Sequence, residues 1–370
     1  MNTGLQKYFP MIRTREEVLA EIQSHPELSE IFQNWKEEHQ EEFLDCVTGA
    51  KGVKVLYDAF FKEIMNPETV PERLEEFLSL ILGEAIKIKC VLPTDNSRIA
   101  DESSLLIMDI LIELEDGSLA NLEAQKVGYM FPGQRVDCYT ADLLLRQYKR
   151  VRGEKGEAFS YKDIQKVYTL VLYEKSSREF HKFPDDYIHR VYPKSDTGLE
   201  LEWLQVQILI PLDIFRRNLQ NKGINHKLDA WLAFLSADEP ETIEQLIKEY
   251  PQFKPMYQQI YEICRNTERV MGMYSEELRI LDRNTVQLMI DEMQDEIDGQ
   301  KKALLQKDEQ LSRQAQQLSQ KDAQLSQWNE QLSQKDTQLS QKDAQLSQKD
   351  EQIKQQLQEI ARLKRQLAEN

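Results

Sequence analysis

A chain of 370 residues, 40% hydrophobic and 30% charged, with a net charge of −17, has room for one sizeable core plus an appendage. No apolar stretch approaches the roughly 20 residues that span a bilayer, and Met1 to Arg15 lack the apolar centre of a secretion signal, so a cytoplasmic chain with no membrane partner is expected. Cys46, Cys90, Cys138 and Cys264 are scattered without a Cys-x-x-Cys pair, and the five histidines form no ligand pair; this argues for reduced, mostly buried thiols and against a zinc site or a disulfide framework.

In chain order, residues 12–45 read as helices, with Thr14 placed to cap Arg15-Glu16-Glu17-Val18. Residues 53–65 read as a short amphipathic helix ended by Asn66-Pro67. Residues 71–85 put Leu74, Phe77, Leu78, Ile81 and Leu82 on one helical face. Ile86 to Leu92 alternates as a strand does, and two further strands follow at 105–114 and 119–126. A helix over about 134–152 comes next, broken by Gly153 and Gly156. Gln165 to Tyr173 and Leu204 to Ile210 are β-rich, and from 212 onward the pattern is helical again.

The two central strands carry the most informative residues. Asp109 sits on the apolar run Leu105 to Ile112, Glu115-Asp116-Gly117 makes a tight turn, and the chain returns through Leu122-Glu123-Ala124-Gln125-Lys126. Strand side chains alternate faces, so Glu123 and Gln125 share one face and Lys126 points to the other. A two-residue Asp116-Gly117 loop pairs Asp109 with Ala124 and sets the two carboxylates on opposite faces. A three-residue Glu115-Asp116-Gly117 loop, with Gly117 left-handed in a G1 bulge, pairs Asp109 with Glu123, and the spacing predicts this form. Directly opposed carboxylates repel unless a cation neutralises them or one takes a proton. Carboxylate and amide oxygens suit Mg²⁺ or Mn²⁺. The plainer reading is a common glycine hairpin whose acids face solvent.

The acidic total argues at first against nucleic acid, but distribution matters more than the sum. Residues 131–195 hold 13 Lys/Arg against 9 Asp/Glu, including Arg146, Lys149, Arg150, Arg152 and Lys155. Beside a carboxylate pair, such a strip suits a phosphodiester substrate; equally, it is what a solvated helix C-terminus carries.

From Leu304 the chain repeats every seven residues, with Leu304, Leu311, Leu318, Leu325, Leu332, Leu339 and Leu346 in strict register, then Ile353, Ile360 and Leu367. Seven-residue spacing favours a left-handed coiled coil. The second core position is poor: with leucine at d, position a holds Asp308, Ala315, Asp322, Asn329, Asp336, Asp343 and Asp350, and buried Asp is costly. A long helix that pairs loosely with other copies and an isolated helix that frays both satisfy the pattern. With 12 positive and 10 negative residues in 300–370, the tail is not a DNA-binding arm.

The order helix, three antiparallel strands, helix, strand, with Asp on the second strand and Glu-x-Gln on the third, resembles the PD-(D/E)XK nuclease fold. More narrowly, Val53 to Arg217 resembles its recombination-promoting nuclease and putative transposase branch: Asp58-Ala59-Phe60-Phe61-Lys62 matches an Asp-x-x-Phe-Lys element, Asp109 and Glu123-Ala124-Gln125 match the two catalytic strands, and Arg135, Tyr139, Gln147 and Tyr161 fit the later pattern. The resemblance implies an α/β (α+β) fold, an αβββαβ restriction-endonuclease-like core with flanking helices, in which Asp109 and Glu123 bind Mg²⁺ or Mn²⁺ for hydrolysis of DNA. It implies a third acid from the helix before the first strand, a role that Glu84 fits, the alternative being a solvent-facing residue. It also implies roles for Arg135 on the scissile phosphate and for Tyr139 on water or a base; they lie four apart and share a helix face, although a packed tyrosine and a surface arginine satisfy the same spacing. Two positions depart from the pattern. Met108 replaces a proline that lends only shape. Gln125 replaces a charged lysine, as is common in this branch; it can orient water but brings no charge.

The expectation is therefore an N-terminal helical segment at 1–50, a nuclease-like core at 51–220, a helical region at 221–299 and a heptad helix at 300–370. The function expected is a metal-dependent endonuclease acting on DNA through Asp109, Glu123, Gln125, Arg135 and Tyr139, with a homo-oligomer forming through 304–367. The alternative is a weak or inactive nuclease fold kept as a DNA- or protein-binding module.

Overall fold

The computed structural model describes residues 4–93, 109–128 and 132–368. The start of the second central strand, Leu105 to Met108, lies outside them, and with it the motif position of Met108. The chain divides into two compact units, Met1–Glu292 and Met293–Asn370.

Three helices open the first unit: α1 (Arg15–Ser24), α2 (Pro26–Asn34) and α3 (Glu37–Val47). Thr14 caps α1 as its sequence predicts: its hydroxyl accepts from the Glu17 N–H, and the Glu17 carboxylate accepts from the Thr14 N–H at 2.8 Å, a reciprocal capping box. Helix α4 (Asp58–Ile64) starts later than expected from periodicity, because Val53, Val55 and Leu56 are buried before it. Helix α5 (Pro71–Leu82) begins on a proline whose missing N–H costs nothing there. It buries Leu74, Phe77, Leu78 and Ile81 and ends at Gly83 in the left-handed conformation.

The strands β1 (Ile88–Val91), β2 (Ile110–Leu114) and β3 (Leu119–Gln125) are antiparallel neighbours. Helix α6 (Pro132–Lys155) then crosses over to β4 (Val167–Tyr173), which is parallel to β3; a parallel return needs such a connection. The helix buries Val136, Tyr139, Thr140, Leu143, Gln147 and Val151 at three- and four-residue spacing. It also runs through Gly153, where a break is expected from sequence. One interior glycine costs about 1 kcal/mol, less than the buried stripe contributes. The left-handed Gly156 (φ +58°) follows the helix.

A short strand that sequence periodicity misses, β5 (His189–Val191), precedes β6 (Gln205–Pro211), and the sheet order is β1-β2-β3-β4-β6-β5. Helices α7 (Leu212–Lys222), α8 (Lys227–Ser236), α9 (Pro240–Glu249), α10 (Lys254–Cys264) and α11 (Thr267–Ala368) complete the chain. The αβββαβ order is thus present, within an α/β structure of mixed sheet and many helices.

Both faces of the sheet are covered. Ile110, Ile112, Ala120, Leu122 and Leu170 face a large core that also contains Leu5, Phe43, Trp231, Ile260 and Tyr274, so it extends across the sequence boundaries drawn at 50 and 220. Leu111, Leu119 and Val167 pack with Tyr139 and Leu143 of α6 on the other face. All four cysteines are free, but only Cys46 and Cys264 are buried; Cys90 and Cys138 are exposed, so the expectation of mostly buried thiols holds for half of them. In the second unit α11 is unbroken to Ala368, with Leu304, Leu311, Leu318, Leu325, Leu332, Leu339 and Leu346 all exposed. Among the described residues no helix is long and apolar enough to cross a membrane.

Candidate active site

The hairpin between β2 and β3 sets the register of the two acids. Gly117 has φ +85°, a conformation open to glycine at little cost. Its N–H donates to the Leu114 carbonyl at 2.9 Å, and the Leu114 N–H donates to Ser118 at 2.9 Å. Asp116 braces the loop by accepting from both the N–H and the hydroxyl of Ser118. The loop is therefore the three-residue form, and Ile110 pairs with Leu122 and Glu113 with Leu119. One step further along this register, Asp109 stands opposite Glu123.

The two acids interlock through the backbone. Asp109 donates its N–H to Glu123 Oε1 at 3.2 Å, and its Oδ2 accepts from the Ala124 N–H at 2.8 Å. Asn121, two residues before Glu123 on the same strand face, donates to Glu123 Oε1 at 2.9 Å. Glu123 is 3% exposed. Burial, and then the charge of Asp109, push its carboxyl well above the usual carboxylate range. Burial likewise raises Asp109, against the opposing pull of the Ala124 N–H and of Lys62. Uncompensated paired carboxylates are expected to behave this way.

Around the pair lies a cavity of about 340 Å³, with Leu56, Asp58, Lys62, Gln125, Lys126, Arg135, Tyr139, Ile280, Arg283 and Asn284 in its walls. Of the residues singled out from sequence, Asp109, Glu123, Gln125, Arg135 and Tyr139 come together here. Arg135 donates to the Tyr139 hydroxyl at 3.0 Å and lies 5.5 Å from its ring centroid, as expected for residues four apart on one face. Burial raises the Tyr139 phenol above its ordinary value, so it serves as a neutral hydrogen-bonding group. Gln125 is buried, and among the described residues neither its amide nitrogen nor its oxygen has a hydrogen-bond partner. A buried unsatisfied amide is costly and is a group in want of a ligand.

Glu84 does not join them. Helix α5 stops at Leu82, and the left-handed Gly83 turns the chain away, leaving Glu84 exposed with its carboxylate accepting from the Tyr168 hydroxyl at 3.4 Å. The further acid in the cavity is Asp58, from α4. Its carboxylate holds Lys62 Nζ at 2.9 Å, and Lys62 in turn lies 3.5 Å from Asp109 Oδ1. The four-residue spacing of Asp58 and Lys62 was a legible signal for their pairing; their approach to Asp109 was not. Nothing in the local sequence pointed to Asn121, Arg283 or Asn284.

Lys126 lies on the opposite strand face from Glu123, as alternation requires. It is buried in an ion pair with Glu277 of α11, 5.2 Å from the ring centroid of Tyr57. Two arginines of the basic strip on α6 are committed elsewhere. Arg146 pairs with Asp142 at 2.9 Å, while Arg150 pairs with Glu113 at 2.6 Å and donates to the Gly117 carbonyl at 3.0 Å. Arg150 thereby holds α6 to the sheet, whereas the Arg146–Asp142 pair lies within α6 itself.

Among the described residues no three His, Cys, Asp or Glu side chains are grouped so as to hold a metal ion by themselves. The groups at the centre of the cavity are the Asp109 and Glu123 carboxylates, with the Gln125 amide in the same wall. A small hard cation such as Mg²⁺ is usually held by one or two carboxylates with water and phosphate completing its octahedron, so these residues fit such an ion.

No curated protein and no solved structure matches the chain. A family model described as PD-(D/E)XK nuclease family transposase matches residues 55–288, a span that includes α4, the sheet, the acid pair, α6 and the first turns of α11; the chain belongs to the PD-(D/E)XK nuclease family of transposases.

Proposed function

We propose that this protein is a divalent-cation-dependent endonuclease that hydrolyses DNA phosphodiester bonds in the cavity between β3, α4, α6 and α11. The observation that carries this reading is the opposition of Asp109 and Glu123, buried and repelling, beside a Gln125 amide with no hydrogen-bond partner among the described residues. In this reading Asp109 and Glu123 would hold Mg²⁺ or Mn²⁺, and the Gln125 amide would offer a further polar group beside them. The bound cation supplies Lewis acidity, drawing charge from the phosphate and acidifying water.

The chain's own residues do the rest. The Ala124 and Asp109 N–H groups and Asn121 fix the carboxylates, so no reorganisation is needed when substrate arrives. Arg135 offers its guanidinium to a phosphate oxygen, a geometry arginine suits, and Tyr139 orients that guanidinium. Lys62, Arg135 and Arg283 place positive charge around the acid pair and offset the acidic total of the chain locally.

Purified protein and supercoiled plasmid test this, with Mg²⁺ or Mn²⁺, an EDTA control and the Asp109→Ala/Glu123→Ala variant. Nicking that requires the cation and disappears in the variant is expected. Intact plasmid under both cations, from folded protein, would favour the other reading: a binding module, which the uncharged Gln125 suits. The heptad leucines Leu304 to Leu346 of the second unit, exposed in a single chain, are proposed to pair copies of the protein, and four free thiols are in keeping with a reducing, cytoplasmic setting.

A further inference from the structure

Phosphodiester hydrolysis needs positive charge at the phosphate as negative charge builds on its oxygens, and the strand position beside Glu123 is occupied by the uncharged Gln125. The next residue, Lys126, is on the wrong face of β3 and is sealed into its pair with Glu277. Arg135 approaches from α6, with its guanidinium directed at Tyr139. On the opposite wall, Lys62 extends from α4 to the outer oxygen of Asp109.

We propose that Lys62 is the lysine of this active site, delivered by a helix instead of by the strand, and that its ammonium contacts the scissile phosphate; this rests on the nuclease reading above. The geometry suits the task. Nζ is 2.9 Å from Asp58 Oδ1 and 3.5 Å from Asp109 Oδ1. Both contacts are ion pairs, and an ammonium carries three donors, so one remains for a phosphate oxygen. The side chain is 39% exposed, on the wall of the cavity that holds Asp109 and Glu123. Asp58 anchors it from one turn earlier on the same helix. The Asp58 N–H is in turn held by Glu277 Oε2 at 3.0 Å, so the donor is braced from α11 as well.

In the reaction, a water oxygen forms the new bond to phosphorus. The bond from phosphorus to the leaving sugar oxygen breaks, with its electron pair remaining on that oxygen. The attacking water gives up one proton to solvent, and the leaving oxygen takes one from solvent. Lys62 stays protonated throughout and acts by charge and hydrogen bonding to a non-bridging oxygen.

A purely structural lysine would neutralise Asp58 and Asp109 and do no more, so the test must separate the two roles. Single-turnover cleavage of a labelled duplex with Mg²⁺ would be measured for the wild type, Lys62→Met, Lys62→Arg and Lys62→Met/Gln125→Lys, with thermal unfolding and Ca²⁺-supported DNA binding for each. We expect Lys62→Met to lose about 100-fold in the cleavage step with folding and DNA affinity little changed, and Lys62→Arg to lose less. A lysine restored at the strand position in the double variant should recover at least about tenfold. Cleavage by Lys62→Met at the wild-type rate would overturn the assignment. So would a loss that follows unfolding or lost DNA affinity and is not rescued by Gln125→Lys. If the wild type itself leaves DNA intact with Mg²⁺ and Mn²⁺, the nuclease reading fails and the assignment falls with it, a result distinct from an active wild type with an active variant.

Discussion

Glu277 of α11 and Lys126, the first residue past β3, form an ion pair in which each side chain is only 5% exposed. The other oxygen of the same carboxylate accepts the N–H of Asp58. One side chain thus ties together the helix that carries Lys62, the strand that carries Glu123 and the helix that leads into the heptad repeat. Burial raises the Glu277 carboxyl, while Lys126 and the Asp58 N–H oppose that rise. Removing one member leaves an uncompensated buried charge. Glu277→Ala is therefore expected to destabilise the protein by about 3–5 kcal/mol. Replacing both residues with apolar ones of similar size, Lys126→Met with Glu277→Leu, is expected to recover most of that loss. Urea unfolding of the three variants checks this, and a double variant no more stable than Glu277→Ala would rule it out.

The acid pair is expected to make stability depend on pH and on a divalent cation. Both carboxyls have folded-state values above their ordinary ones. A carboxyl raised in the folded state contributes stability that is complete below its unfolded pKa, about pH 4, and is lost as pH rises through the folded value. Without a cation, the site therefore costs stability at neutral and alkaline pH. Glu123→Gln keeps the oxygen that Asp109 and Asn121 bond to and removes the charge. EDTA-treated Glu123→Gln is expected to melt higher than EDTA-treated wild type at about pH 8 and at the same temperature at about pH 4. Mg²⁺ is expected to raise the wild-type melting temperature more than the variant's. Scanning calorimetry tests both, and a wild-type excess stability at alkaline pH without cation would contradict the account.

Gly117 holds the register that opposes Asp109 and Glu123. A Cβ there would meet Gln165 Cγ at 3.4 Å, an ordinary contact, so the cost of Gly117→Ala is the left-handed backbone itself, about 1–2 kcal/mol. Gly117→Asn is expected to cost less, since asparagine tolerates that region better. Chemical denaturation ranks the three; an alanine variant as stable as the wild type would mean that the turn is not constrained by φ.

The tail makes a prediction of its own. If exposed heptad leucines join copies of the chain, the full-length protein will run as an oligomer by light scattering. Leu318→Gln/Leu325→Gln/Leu332→Gln is expected to shift it to the monomer while leaving plasmid nicking per chain in place. The Asp residues at the opposing core positions keep this association weak, so it should dissociate on dilution. A wild type that stays monomeric at high concentration would remove the tail as an oligomer interface.

Several of these features were legible without coordinates because their causes are local. The Thr14 capping box and the apolar stripe of α5 follow from residues within a turn or two. So does the Glu115-Asp116-Gly117 loop, and with it the opposition of Asp109 and Glu123, since a turn's length and one left-handed residue set the pairing. The face shared by Arg135 and Tyr139, and the opposite facing of Lys126, follow from helix and strand periods in the same way.

What tertiary structure alone decided are the meetings between distant segments. Glu84 sits near the expected place in sequence, yet the glycine after α5 turns it out, and Asp58 and Lys62 come to the acids from a helix about 50 residues earlier in the chain. Arg146 and Arg150, equally suited on paper to phosphate, are bound to Asp142 and Glu113. Lys126 finds its partner 151 residues away. Periodicity and turn chemistry state which side of an element a residue occupies; which other element covers that side depends on how the whole core packs, because burial energy is non-directional and is shared among all the surfaces it brings together.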